Sequence, residues 1–206
     1  MAKRYVIGVA GGTGAGKTTL ADAVAAGVAP ASAVVIHEDR YYRDCSHLEE
    51  SAREGLNFDH PEALDLDLLA DHVRGLLIGK TILQPVYDFV RHIRKEETVT
   101  ITPARFVIVE GLFTLYNRLL EDVLDFRIFL DVEEDLRLSR RIERDTIERG
   151  RTKESVIRQW NATVKPMHER FIQPCRSRAD LVIPGSDRVE HNVARMRDFL
   201  ASKNVL

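Results

Sequence analysis

The chain has little cysteine and no long apolar run. Cys45 and Cys175 are its two cysteines in 206 residues. Their spacing builds neither a disulfide framework nor a metal-ligand pair, and such sparse use fits a reducing compartment. No apolar run approaches the roughly 18 residues that a membrane-spanning helix needs. Met1-Ala2-Lys3-Arg4 runs straight into an apolar segment. It lacks the apolar core and cleavage site of a signal peptide, so a cytoplasmic protein without membrane contact is expected. A basic excess is also missing: 30 Lys and Arg face 32 Asp and Glu, for a net charge of −2. That argues against a general nucleic-acid surface but leaves room for a local phosphate pocket. The N-K-x-D segment of guanine-specific switches is absent. So is an L-S-G-G-Q-like signature of transport ATPases. Repeats, low-complexity tracts and interdomain linkers are absent too, which predicts a single domain over residues 1–206.

What the chain does contain is G-G-T-G-A-G-K-T-T at residues 11–19, a match to G-x-x-x-x-G-K-[ST]. Gly11, Gly12, Gly14 and Gly16 allow positive φ and close approach of backbone to an anion. With Thr13, Ala15 and Thr19 they complete a loop whose successive N–H groups form an anion nest. Lys17 reaches the β- and γ-phosphates, and the Thr18 hydroxyl ligates Mg²⁺. Context supports the match. Residues 5–10 are an apolar, β-branched run of buried-strand type. Residues 20–26 are Ala-rich and helix-favouring.

Further strands are predicted at 33–36, 105–111, 126–132 and 179–184, alternating with helices. That alternation implies a parallel sheet covered on both faces. Asp39 follows the second strand, where ligands sit in open α/β sheets. It reads equally as a catalytic base, a metal-linked carboxylate or a helix cap. Glu110 ends the third strand, where an acidic group can hold the water shell of Mg²⁺. Residues 64–78 form an amphipathic helix closed by Gly79. Strands at 81–87 and 98–102, joined by a polar loop at 88–97, suggest a hairpin lobe outside the parallel sheet. In the helix predicted at 133–148, Arg137, Arg140, Arg141 and Arg144 recur every three or four residues, which gives one basic stripe. Arg149-Gly150-Arg151 follows. The stripe reads either as a solvated face with Glu–Arg pairs or as a mobile lid that brings guanidinium groups to phosphates. A helix is predicted at 155–171, interrupted near Pro166, and a terminal one at 192–203.

Taken in order, several stretches resemble one family. These are N-F-D-H-P-E-A-L-D (57–65), P-V-Y-D-F-V-R-H-I-R-K-E-E-T (85–98), V-I-V-E-G (107–111), R-R-I-E-R-D-T-I-E-R-G-R (140–151) and V-K-P-M-H-E-R-F-I-Q-P (164–174). They are similar to uridine kinase, or uridine–cytidine kinase, from about residue 4 to 186. The combination of F-D-H-P with Y-D-F-x-x-H-x-R is far more specific than the phosphate loop alone. The resemblance implies a P-loop NTPase fold of the three-layer α/β/α class. It would have a five-stranded parallel sheet, a β-hairpin lobe at about 81–102 and a helical lid at about 133–151. It implies transfer of the γ-phosphate of ATP or GTP, with Mg²⁺, to the 5′-hydroxyl of uridine or cytidine in pyrimidine salvage. It also implies a homotetramer.

Carried onto this sequence, the family's catalytic aspartate falls on Asp39. Tyr42 matches a tyrosine near the nucleoside, and Asp59 the carboxylate that binds the ribose hydroxyls. Tyr87 and His92 match side chains that contact the pyrimidine, with Phe58 and Phe89 lining the pocket. Arg141 matches the arginine near the nucleoside. Arg144, Arg149 and Arg151 match lid arginines, and Gln159 a glutamine on the next helix. Thr18 and Glu110 match the metal-linked pair, with Asp39 beside them. Departures are Arg40, where Ser is usual after the aspartate, and Ile93, where Ser or Thr is common after the base-contacting histidine. Thr114 and Asn117 also vary. The alternative is a related small-molecule kinase of phosphoribulokinase or pantothenate kinase type, which should lack an aromatic pocket with a base-reading histidine.

Overall fold

The computed structural model describes residues 3–27 and 32–206. Met1 and Ala2, part of the N-terminal stretch read above, and residues 28–31 lie outside the described residues. Strand β1 (Tyr5–Gly11) leads through the phosphate loop into α1 (Lys17–Gly27), and β2 (Ala33–His37) ends in a 3₁₀ turn, Glu38–Tyr41. Helix α2 (Glu50–Glu54) and α3 (Leu66–Leu77) precede the hairpin β3 (Ile82–Asp88) and β4 (Ile93–Ile101). Strand β5 (Phe106–Gly111), α4 (Arg118–Glu121), β6 (Phe126–Asp131) and α5 (Glu134–Arg149) follow. Then come α6 (Lys153–Gln159), α7 (Lys165–Met167), β7 (Leu181–Pro184) and α8 (Val189–Ser202).

The main sheet is five-stranded and parallel, in the order β2-β5-β1-β6-β7. Strands β1 and β5 are buried almost throughout, because helices cover both faces. Their side chains alternate between two cores. Val6, Ala10, Val107 and Val109 pack with Leu69, Val73 and Leu76 of α3. Ile7, Val9, Phe106 and Ile108 pack with Leu20 and Val24 of α1 and Met196 and Leu200 of α8. Each such large aliphatic side chain contributes about 1.5–3 kcal/mol on full burial. The strand order brings the carboxyl ends of β1, β2 and β5 side by side, as His37 pairs with Glu110 and Val9 with Glu110. The chemistry-bearing residues predicted at those three ends therefore share one edge.

Two boundaries differ from expectation. Strand β4 begins at Ile93, so the hairpin loop is only residues 89–92. The charged run Arg94 to Glu97 reads as loop by composition, yet most of β4 is exposed, so charges sit comfortably on it. Asp88 tightens the turn by accepting the N–H groups of Val90 (3.0 Å) and Arg91 (2.9 Å). The expected break at Pro166 is also absent. Instead the helical path runs on through two π turns, Trp160–Val164 and His168–Ile172, on either side of α7. Proline removes one helical N–H, and the wider turns around it accommodate that missing bond. Among the described residues no helix is long and apolar enough to cross a membrane.

The join between β2 and β5 is closely packed beneath the site. Glu38 is 1% exposed and accepts the Phe113 N–H (2.8 Å) and the Thr114 hydroxyl (2.9 Å). A Cβ on Gly111 would stand 2.3 Å from the Glu38 Cβ. Gly111→Ala is therefore expected to cost about 1–3 kcal/mol of unfolding free energy by overpacking. Urea denaturation measures it, and a change below about 0.5 kcal/mol would mean that the join yields freely.

Candidate active site

The phosphate loop leaves β1 at Gly11 and enters α1 at Lys17. Gly14 and Gly16 take φ of +75° and +90°, conformations open to glycine. Helix α1 has no acidic residue in its first turn, so its N-terminal amides and dipole are not engaged by a carboxylate of their own turn. Lys17 donates to the Gly12 carbonyl at 3.1 Å. Burial lowers its pKa, while Glu110 and Glu38 oppose that shift.

A cleft of about 1270 Å³ opens above this loop. Thr13, Gly14, Gly16, Lys17, Thr18 and Thr19 line its floor. Gly11, Gly12 and Ala15 do not line it. Gly11 backs onto the Leu130 carbonyl, Gly12 onto Arg137, and Ala15 is in the core. Their contribution is to let the loop pack tightly from behind. The Thr18 hydroxyl donates to Glu110 Oε1 at 3.1 Å, and His37 Nδ1 lies 2.9 Å from the same oxygen. That bond to Glu110 holds His37 above the ordinary histidine pKa. Asp39 faces the cleft from the 3₁₀ turn after β2, as the second residue of that turn, whose N-cap position is His37. The cap reading of Asp39 is thus replaced by a cleft-facing one. Protein crowding partly desolvates its carboxyl and raises its pKa, and Glu110 adds to that, while His37, Arg149 and Lys17 oppose it.

A second wall is aromatic. The Tyr42 ring lies 5.6 Å from Phe58, edge-on, and 5.2 Å from Tyr87. Its hydroxyl donates to the Phe58 carbonyl at 3.0 Å. Tyr87 is 5.3 Å from Phe89, and Phe58 stacks on His92 at 4.5 Å with a 14° interplanar angle. His92 sits in the left-handed region, φ +55°, at the hairpin tip, a conformation that histidine adopts more readily than most residues. Among the described residues the buried Tyr87 hydroxyl has no hydrogen-bond partner, and burial raises its pKa, so it stays neutral. The hairpin is tied to the Asp39 turn by Arg94, which composition alone did not single out. Its guanidinium donates to the carbonyls of Tyr41 (3.2 Å) and Tyr42 (2.9 Å).

Asp59 is 6% exposed and borders the cleft between these walls. Its carboxylate lies 3.6 Å from Arg141, which also donates to Thr13 Oγ1 (3.2 Å) and Gln159 Oε1 (2.9 Å). The basic stripe of α5 faces inward, with Arg137, Arg141 and Asp145 all buried. The solvated-face reading gives way on this point, and Glu134 pairs with Lys165 (2.9 Å) rather than with an α5 arginine. Asp145, unnoticed in the sequence, is fully buried among arginines. Arg144 lies at 2.7 Å, Arg141 and Arg151 at 3.4 Å, and Arg149 at 3.7 Å. Burial would raise its carboxyl, but Arg144, Arg141 and Arg149 together hold it below the usual aspartate range. Gly150, φ +63°, ends α5 and lets Arg151 turn back to this centre. Arg144, Arg149, Arg151 and Gln159 all line the cleft.

The comparison with known proteins agrees with this geometry. The model of the phosphoribulokinase/uridine kinase family matches residues 6–192. A uridine kinase of Staphylococcus epidermidis is 45% identical over 191 residues, 92% of each chain. A uridine kinase of Halalkalibacterium halodurans is 43% identical over 211 residues, spanning 100% of both. Among solved structures, phosphoribulokinase from Rhodobacter spheroides shares the fold, with a TM-score of 0.62 at 17% identity over 90% of this chain and 73% of that one. The chain belongs to the phosphoribulokinase/uridine kinase family of phosphotransferases.

Proposed function

We propose that the chain transfers the γ-phosphate of ATP or GTP to the 5′-hydroxyl of uridine or cytidine, giving UMP or CMP for pyrimidine salvage. One observation carries this reading. A wall of Tyr42, Phe58, Tyr87, Phe89 and His92, with the Asp59 carboxylate beside it, shares a single cleft with the phosphate loop. A flat heterocycle suits such a wall. A sugar-phosphate acceptor would have no use for these rings. The uridine kinases among the relatives support the same acceptor.

In this reading Asp39 orients the 5′-hydroxyl and takes its proton. The new O5′–P bond forms as the bond from the γ-phosphorus to the bridging oxygen breaks, releasing the nucleoside diphosphate. Lys17, Arg144, Arg149 and Arg151 offset the charge on the transferring group, which is the main demand of phosphoryl transfer. Asp59 with Arg141 holds the ribose, Gln159 steadies Arg141, and Tyr87 and His92 read the base.

The metal assignment fits the donor set. Among the described residues no group of three or more His, Cys, Asp or Glu side chains could hold a metal ion. Mg²⁺ does not require one, since it keeps waters and phosphate oxygens and takes only one or two protein carboxylates. Thr18, Asp39 and Glu110 would hold it, all through oxygen, and Glu110 is already oriented by Thr18 and His37. When bound, Mg²⁺ would neutralise phosphate charge. We further take residues 1–206 as one kinase domain, with the hairpin as nucleoside lobe and α5 to Arg151 as lid. The expected assembly is a homotetramer and the expected location the cytoplasm.

Three outcomes are expected. Lys17→Ala should fold normally yet lose several orders of magnitude in turnover, and a folded variant with parental turnover would remove the nucleotide-site assignment. Asp39→Asn should lower kcat by about 10²–10⁴-fold while nucleoside Kd, measured by calorimetry, changes little. A loss below about tenfold would leave Asp39 a spectator. His92→Ala should raise the uridine KM by about 5–10-fold through the lost stacking, with the ATP KM nearly constant. If only the ATP KM moves, the lobe is misassigned.

A further inference from the structure

The ribose carboxylate of the proposed reaction is held in an unusual way. Its backbone N–H donates to Asn57 Oδ1 at 3.1 Å, which fixes the local turn. Its Oδ1 faces Arg141 at 3.6 Å, beyond hydrogen-bond length. A buried guanidinium and carboxylate this close normally settle into a bidentate pair with bonds of about 2.7–2.9 Å. Here they do not. Oδ2 instead accepts the hydroxyl of Thr163 at 2.9 Å, from a residue 104 positions later in the chain. The Thr163 hydroxyl also lies 3.2 Å from the Gln159 carbonyl. It has one proton to give, and the carboxylate is the nearer and stronger acceptor.

Thr163 lies in the π turn Trp160–Val164, immediately after α6. That turn sends Trp160 into the core, where it is 1% exposed, and leaves Thr163 beside the cleft. Gln159, four residues earlier, accepts from Arg141 at 2.9 Å. One helical stretch thus holds both halves of the pair, Thr163 on Asp59 and Gln159 on Arg141. Each tether pulls its partner away from full mutual engagement.

We propose that Thr163 is a positioning residue for ribose recognition: its hydroxyl holds Asp59 off Arg141 and so keeps a carboxylate oxygen free for the vicinal diol of the acceptor. The inference rests on the nucleoside reading above. Without the hydroxyl, Oδ2 is left unpaired in a nearly closed site, which is costly. The carboxylate then rotates onto Arg141 and withdraws from the cleft. Thr163 touches neither the nucleotide nor the reacting hydroxyl in this scheme, so the loss falls on acceptor recognition.

The test uses the full chain, with kcat and KM for uridine and 2′-deoxyuridine at saturating Mg·ATP. Thr163→Val replaces the hydroxyl with a methyl group of similar size, Thr163→Ala removes it in a smaller side chain, and Thr163→Ser keeps it. The Val and Ala variants should raise the uridine KM about tenfold with kcat within about threefold. Their preference for uridine over 2′-deoxyuridine should fall about tenfold, because the site no longer rewards the second hydroxyl. Thr163→Ser should retain the parental preference to within about threefold, an outcome that a packing role would not produce. A parental preference in Thr163→Val or Thr163→Ala overturns the inference alone, as does a Ser variant as indiscriminate as Val. If Val fails to fold, the Ala and Ser comparison decides. A parent that does not distinguish uridine from 2′-deoxyuridine overturns the ribose reading itself, and this inference with it.

Discussion

Helix α5 lies so close beneath the phosphate loop that neither Gly12 nor Gly14 has room for a side chain. A Cβ on Gly14 would stand 2.3 Å from the Arg137 carbonyl oxygen, and one on Gly12 2.5 Å from the Arg137 guanidinium. One on Gly11 would stand 2.6 Å from the Leu130 carbonyl oxygen. The glycines therefore do two things. They let the backbone curl around an anion, and they let α5 dock against the back of that curl. Arg137 fills the contact, donating to the Val132 carbonyl at 3.0 Å and lying 5.3 Å from the Trp160 ring. Once Arg137 is seated, helical geometry brings residues four and eight positions later to the same face. Those are Arg141, which reaches Thr13 and Asp59, and Asp145, which gathers the remaining arginines. The arginine face of the cleft is thus a consequence of glycine at the loop.

That face concentrates positive charge, and concentration has a cost. Arg149 illustrates it: burial lowers its pKa, and repulsion from Arg144 and Arg141 adds to the effect. Asp145 offsets the repulsion from inside the helix, at 0% exposure, without lining the cleft. The cluster keeps a surplus of cations, four arginines to two carboxylates, Asp145 and Asp59. In the proposed reaction a phosphate chain entering the cleft would supply the missing anions. The arrangement is preorganised, so little reorganisation is left for the moment of transfer.

Much of this was legible in the residues. The phosphate loop, the strand-end carboxylates Asp39 and Glu110, and the aromatic hairpin each carry a local signature, and the parallel sheet follows from alternating apolar strands and helices. The start of β4 was not legible, because Arg94 to Glu97 look like loop until the open face of the hairpin is known. Asp145 was hidden among the many charges of α5, where a helical wheel gives a stripe but not the side it faces. Glu38 and Thr163 escaped for a different reason. Their partners, Phe113 and Thr114 for one and Asp59 for the other, are 75, 76 and 104 residues away. Local pattern cannot report such contacts. The π turn that presents Thr163 leaves no clear mark either, beyond a proline shortly downstream.

The two sides of the cleft also meet. The Arg149 guanidinium lies 4.9 Å from the Phe89 ring, so the end of α5 touches the tip of the hairpin. Phe89 in turn contacts Tyr87, and Tyr87 contacts Tyr42, three residues after Asp39. Cation–π contacts of this kind are worth about 0.5–1 kcal/mol when exposed and more when dry. Such a contact would, in the proposed reaction, be strong enough to bias closure and weak enough to release product. In the proposed reaction an acceptor base filling the aromatic wall would fix Phe89, and Phe89 would fix the arginine that neutralises the phosphate. Acceptor and donor would then favour the same closed arrangement. That geometry would disfavour hydrolysis in the proposed reaction, because an acceptor filling the aromatic wall would exclude water from the γ-phosphate.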